Sequence, residues 1–237
     1  MKFSIETTAN SLAPLNESGN QLRRSIALWE LVSIIMTVLI IEWVLIPFAG
    51  RSSLLVLVPL TSCAVLMFTS ARQCGETRRD LGIRFDNFLD AARLLLMPML
   101  IGGAALAICG WLLREAGYGE PRAAGRILLK LALWGVLWGF VQQYVLQAYV
   151  NRRAQVAMGG GVPSVLYVAC IFALLHAPNL GLMIATFAGG LMWAYVYQKA
   201  PNLFALALSH GVMTWVLVSS IPAPLLKGMR AGYNYFL

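Results

Sequence analysis

Two histidines and a cluster of glutamines are the residues of this chain with chemistry to offer. His176 and His210 are its only histidines, and both lie in apolar surroundings, "LLHAPN" and "ALSHGV". Gln142, Gln143 and Gln147 stand in "WGFVQQYVLQAYVNRR", again mostly apolar. An imidazole titrates near pH 6.5 and can act as general base, general acid or metal ligand. A carboxamide takes up no proton near pH 7, but it both donates and accepts hydrogen bonds. Moved out of water without a partner, it costs on the order of 1–3 kcal/mol. Something must offset that cost.

The acids narrow the chemistry further. All ten Asp and Glu residues fall between Glu6 and Glu120, so the last 117 residues hold none. A carboxylate mechanism at the histidines therefore needs a residue from the first half to enter. Paired membrane aspartates are excluded, since no Asp lies beyond Asp90. The zinc pattern H-E-x-x-H is absent, and two histidines without a nearby Cys or acid make a poor zinc shell. No metal and no cofactor is expected. Ser209 precedes His210 directly, but helix neighbours point about 100° apart and do not face each other.

The elements that hold these residues are membrane helices. Of 237 residues, 59% are hydrophobic and 12% charged, against about 25% charged in an ordinary soluble domain. The apolar residues form blocks at Ile26–Ala49, Ser53–Ser70, Ala91–Leu113, Ile127–Val150, Val162–His176, Leu180–Tyr197 and Leu203–Pro222. Each is long enough, or nearly so, to cross about 30 Å of hydrocarbon. Backbone groups in lipid must bond internally, so the blocks are predicted to be helices. The expected fold is an all-α polytopic bundle of about seven to eight spans. Residues 1–25 read as a polar N-terminal tail, not as a cleaved signal, and residues 26–237 as one membrane domain.

Charge gives a sidedness. With the N-terminus inside, inner segments hold Lys2, Arg23, Arg24, Arg72, Arg78, Arg79, Arg84, Arg93, Arg152, Arg153 and Lys199. Outer segments hold Arg51, Arg114, Arg122, Arg126, Lys130, Lys227 and Arg230. The bias predicts a cytoplasmic N-terminus in a multi-pass cell-membrane protein. The net charge of +8 suits contact with a lipid bilayer, and its scatter gives no nucleic-acid face. In "ETRRDLGIRF", Leu81, Ile83 and Phe85 alternate with charges, followed by Phe88, which predicts an amphipathic piece along the interface.

On a helix, Gln143, Gln147 and Asn151 form one stripe. Gly135 and Gly139 extend it as a G-x-x-x-G step that lets another helix approach. The glutamines could then be inter-helix glue, at about 0.6 kcal/mol per bond, and His176 could cap a helix end before Pro178. His210 and Gln143 lie at similar distances from the charged residues Lys199 and Arg152–Arg153, so they can share one depth. Intramembrane polar residues default to a functional site.

Three stretches in order resemble the CPBP family, the CAAX prenyl protease and bacteriocin-processing (Abi-type) membrane proteins. Their motifs are E-E-x-x-x-R, F-x-x-x-H and H-x-x-x-N. The first falls on Gln142–Gln147, with glutamine at both Glu positions and at the Arg. The second is intact from Phe172 to His176. The third runs from His210 to Thr214, with Thr for Asn. The likeness covers about residues 128–219. It implies a helical membrane fold in which the motif helices meet. It also implies intramembrane endopeptidase activity on prenylated or hydrophobic peptides, with a motif-one glutamate and the histidines activating water.

By that resemblance the catalytic positions are His176, His210, Gln142 and Gln143, and the substrate-binding positions Gln147, Phe172 and Thr214. Glutamine cannot be the base, and losing both carboxylates removes the partner of the family's arginine. Three readings stand: a peptidase-like pocket that binds a peptide, lipid or membrane-protein partner without cleaving, a histidine-driven peptidase, or a peptidase served by another carboxylate. Glu42 is the candidate for that carboxylate; otherwise it snorkels toward the outer surface. No internal repeat supports a transporter built from matching halves.

Overall fold

Apolar blocks too long for a soluble core helix fold as helices here. The computed structural model describes residues 17–50, 54–121 and 135–237. Among these residues all regular structure is helical, with no strand. Helix α1 runs over Glu17–Ala49, α2 over Leu54–Gln73 and α3 over Phe88–Glu115. Helix α4 is a continuous run of Val136–Gln143, Tyr144–Asn151 and Arg152–Met158, its middle section wound as a π-helix. Then come α5, Val162–Leu174, α6, Leu180–Lys199, and α7, Leu203–Ser220. Three short helical turns, Ala223–Leu226, Lys227–Met229 and Gly232–Phe236, close the chain.

Helices α1, α2, α3, α6 and α7 are long and apolar enough to cross a membrane, and α5 is a shorter apolar helix. The chain is a multi-pass membrane protein with a helical bundle. Two boundaries differ from expectation. Helix α1 begins at Glu17, nine residues before the apolar block, because its polar first turns still satisfy their backbone bonds as a helix. The predicted block Ile127–Val150 continues to Met158, while residues 127–134 lie outside the described residues.

The core sits in the second half. Tyr149, Val168, Phe172, Trp193, Val196, Tyr197, Leu203 and Leu206 are buried together with Leu31 of α1 and Leu95 of α3. By contrast, α3 presents Leu96, Met97, Leu100, Ile101, Ile108 and Trp111 outward, as a lipid-facing helix does. Helices α4 and α7 approach closely at glycines. A Cβ on Gly139 would lie 3.1 Å from the Ala207 carbonyl and 3.3 Å from His210 Cβ, and one on Gly211 3.0 Å from Val136. That is the close approach the G-x-x-x-G step predicts.

The alternating segment after α2 forms a turn docked on the bundle. Leu81, Ile83 and Phe88 pack on the core while Phe85 stacks on Phe204 at 4.2 Å. Buried Asn202 caps α7 through Ala205 N–H and donates to Arg84 O and Asn87 Oδ1, both at 2.8 Å. Specific hydrogen bonds hold this turn to the start of α7.

Candidate functional site

Helix α5 positions His176. Thirteen residues span about 20 Å at 1.5 Å each, shorter than a full crossing of about 30 Å. His176 follows the helix end, and its Nδ1 lies 2.8 Å from the Phe172 carbonyl, four residues back. A carbonyl only accepts, so Nδ1 carries a proton, and in the neutral ring Nε2 keeps its lone pair. The ring thus satisfies one of the unpaired carbonyls at the helix end, and Phe172 sits edge-on to it at 4.9 Å.

Helix α7 positions His210, which is 8% exposed. Its Nδ1 lies 3.0 Å from Gln143 Nε2 on α4. Trp193 of α6 stacks on the imidazole, with centroids 4.6 Å apart and planes 7° from parallel. The indole is held in turn by its Nε1–H, which donates to Ser209 Oγ at 2.9 Å. Phe172 lies 6.1 Å from both the His210 and the Trp193 rings. Three helices thereby fix His210 between an amide and an aromatic face.

The other amides form a separate ladder whose polarity is forced. Gly161 N–H donates to Gln198 Oε1 at 2.8 Å. Gln198 Nε2 must then be the donor to Asn151 Oδ1 and Ser164 Oγ, each at 2.9 Å. Asn151 Nδ2 in turn donates to Gln147 Oε1 at 2.8 Å and to the Ala194 carbonyl at 3.2 Å. Gln147 Nε2 and Gln143 Oε1 have no partner among the described residues. Both residues have no exposed surface.

The structure brings together Gln143, His210 and Phe172, with His176 on the same aromatic cluster. It leaves Gln142 half-buried and off the histidines, ties Gln147 to Asn151, and places Thr214 half-buried on α7 without a hydrogen bond to either imidazole. Trp193 escaped sequence reasoning, since an indole in an apolar run reads as core. Glu42 sits in a π-helical turn, Ile41–Leu45, with its carboxylate against Gly232 of the C-terminal segment. Its side chain is partly exposed.

Carboxylates from the first half do enter the second, but at Arg152 and Arg153. Arg153 pairs with Glu30 Oε2 at 2.8 Å and Glu76 Oε1 at 3.0 Å, and Arg152 pairs with Glu76 Oε1 at 2.7 Å. Arg153 is 2% exposed. The two arginines expected on the inner surface are therefore partners of buried acids, because two facing carboxylates replace the water a guanidinium would lose. Among the described residues, no group of three or more His, Cys, Asp or Glu is placed to hold a metal.

No curated protein and no solved structure matches the chain. Residues 124–216, of which 124–134 lie outside the described residues, match the family model described as type II CAAX prenyl endopeptidase Rce1-like, so the segment carrying Gln143, Phe172, His176 and His210 is CAAX-endopeptidase-like.

Proposed function

We propose that this CAAX-protease-like membrane protein binds a hydrophobic or prenylated peptide at Gln143, His176 and His210 and does not cleave it by the glutamate route. One observation carries the reading. The fully buried group facing His210 at 3.0 Å is the amide of Gln143. Water-activated hydrolysis needs a base there, and an amide cannot take the proton. What the amide keeps is the hydrogen bond that orients the imidazole. The inner-side excess of Lys and Arg supports a cytoplasmic N-terminus in the cell membrane.

A second reading, histidine-driven hydrolysis, is favoured by the His176 Nδ1 contact to Phe172 O. It leaves Nε2 as a free base, and a positioned base contributes about 10²–10⁴-fold. Gln143→Glu separates the two. The purified natural chain should bind a prenylated or hydrophobic peptide without product, while the variant, with its base restored, should hydrolyse it. Equal cleavage by both chains selects histidine. Absence of peptide binding by the natural chain removes the proposal.

A further inference from the structure

The segment after α7 does not leave the bundle; it turns back across the loop that follows His176. Its first residue is fixed by Ala223 N–H to the Glu120 carbonyl at 3.0 Å. Asn179, 1% exposed, is the central latch. Its Oδ1 caps α6 by accepting from Leu182 N–H at 3.2 Å, and its Nδ2 donates to Leu226 O at 2.9 Å and Arg230 O at 3.0 Å. One amide thus uses its oxygen for the helix and both its N–H groups for the segment.

Further along, Gly232 N–H donates to the carbonyl of Ala177, the residue after His176, at 2.7 Å. Gly232 has φ +57°, and a Cβ there would lie 2.7 Å from Glu42 Oε2 and 3.0 Å from Glu42 Cβ. Phe236 meets Trp43 of α1 edge-on at 6.4 Å. Between these anchors Lys227, Gly228 and Met229 all have positive φ, +46°, +66° and +62°. Two of the three carry a side chain, so this backbone is held in the left-handed region against its preference. Strained residues persist only where their surroundings over-determine them, and they cluster at switches.

We propose that residues 223–237 form a strap gating access to the His176 end of the pocket, latched by Asn179 and seated at Gly232 between Ala177 and Glu42. The latch explains why a completely buried amide follows His176 so closely, and the left-handed turn means that release relieves strain. The proposal rests on the position of His176 in the pocket proposed above, not on what that pocket binds.

Asn179→Asp tests it without removing the helix cap. The carboxylate still accepts from Leu182 N–H, but it loses both donors and sets oxygen against the Leu226 and Arg230 carbonyls. Gly232→Ala attacks the seat from the other side and carries the test if the first variant misfolds. Two rates are read in detergent on the full chain: trypsin cleavage after Lys227 or Arg230, and carbethoxylation of His176 by diethyl pyrocarbonate, resolved from His210 by peptide mass. Both should rise about tenfold or more in each variant, as expected when a local opening equilibrium shifts by the loss of paired hydrogen bonds. The strap is overturned if cleavage accelerates while His176 modification does not, if neither rate moves, or if His176 of the natural chain already reacts like free imidazole. Since neither rate measures peptide binding or hydrolysis, the Gln143→Glu experiment can fail while this one succeeds, and the reverse.

Discussion

Replacing Glu76 by glutamine should be among the most damaging single changes in this protein. Arg153, with a side chain 3% exposed, meets Glu76 through two nitrogens, at 3.0 Å and 3.1 Å, and Glu30 at 2.8 Å. Ser70 Oγ accepts two more of its bonds, at 2.9 Å and 3.2 Å. Glu76 also holds Arg152 at 2.7 Å, so its loss leaves Arg153 with Glu30 alone and takes from Arg152 its paired carboxylate. Breaking a buried pair from one side costs about 3–5 kcal/mol, because the other charge stays buried. For a chain of this length each kcal/mol shifts Tm by about 2–4 °C, which places Glu76→Gln about 6–20 °C below the natural protein.

Glu30→Gln removes one of three carboxylate contacts and leaves the other two, so about 2 kcal/mol is expected, within the range for a charge-assisted bond. The assay is thermal unfolding in one detergent, with a double-mutant cycle between Glu76→Gln and Arg153→Met. Residues in one ion network should couple by about 0.5–3 kcal/mol, so the double variant should lose less than the sum of its parts. Additive losses, or a Glu76→Gln melt within about 2 °C of the natural chain, would mean that the guanidinium is solvated rather than clamped.

Gly139→Leu forces a side chain against the Ala207 carbonyl, 3.1 Å from where its Cβ would sit, and should lower stability by about 1–3 kcal/mol. His210→Ala should abolish peptide binding yet melt above Gly139→Leu; equal melting would return Gln143 and His210 to the role of inter-helix glue. The Thr77 hydroxyl, 2.6 Å from Asp80 Oδ2, is the main cause holding that carboxyl below the usual range. A depressed carboxylate contributes stability present above its unfolded value and lost as pH falls through the folded one. Natural and Thr77→Val chains should therefore differ at neutral pH and converge in acid, and a gap that persists in acid contradicts the assignment. A chain keeping only Cys74, exposed in the turn beside Glu76, should resist a membrane-impermeant maleimide in intact cells; ready labelling reverses the orientation.

How much of this was legible in the residues follows from the kind of signal each leaves. The helices were, because long apolar blocks admit one backbone solution in lipid. That Gln142 or Gln143 would meet His176 or His210 followed from the family resemblance, in which the motif helices converge; the stripe and the shared depth only allowed it, and the contact is made by Gln143 and His210. The Gly139 approach was readable from the G-x-x-x-G step. What was not readable depends on partners distant in the chain. Glu30 and Glu76 reach Arg153 across more than seventy residues, and nothing local distinguishes a buried arginine from one at the membrane edge. Trp193 stacks on His210 only because α6 and α7 pack at a particular rotation. The docking of the Leu81–Phe88 turn on the start of α7 through Asn202 and Asn87 was not readable in its alternating pattern either.

One helix carries both kinds of polar chemistry, and their separation is itself informative. Along α4 the order is Gly139, Gln143, Gln147, Asn151, then Arg152 and Arg153. The first three polar positions are neutral, fully buried and bonded side chain to side chain or to an imidazole. The next two are charged and matched by acids supplied from α1 and from the turn after α2. An ion in the middle of this stripe would have needed a counter-ion there, and the last 117 residues contain no acid to supply one. Neutral amides solve that problem around His210, and the acids of the first half solve it for the arginines. Changing Gln143 to glutamate therefore does two things at once. It restores a base, and it buries a negative charge beside His210, which compensates it when protonated. A variant that hydrolyses peptide should then also be less stable than the natural chain at alkaline pH, where that imidazole is neutral. A Gln143→Glu chain that gains hydrolysis with an unchanged alkaline melt would show that the carboxylate finds its compensation elsewhere.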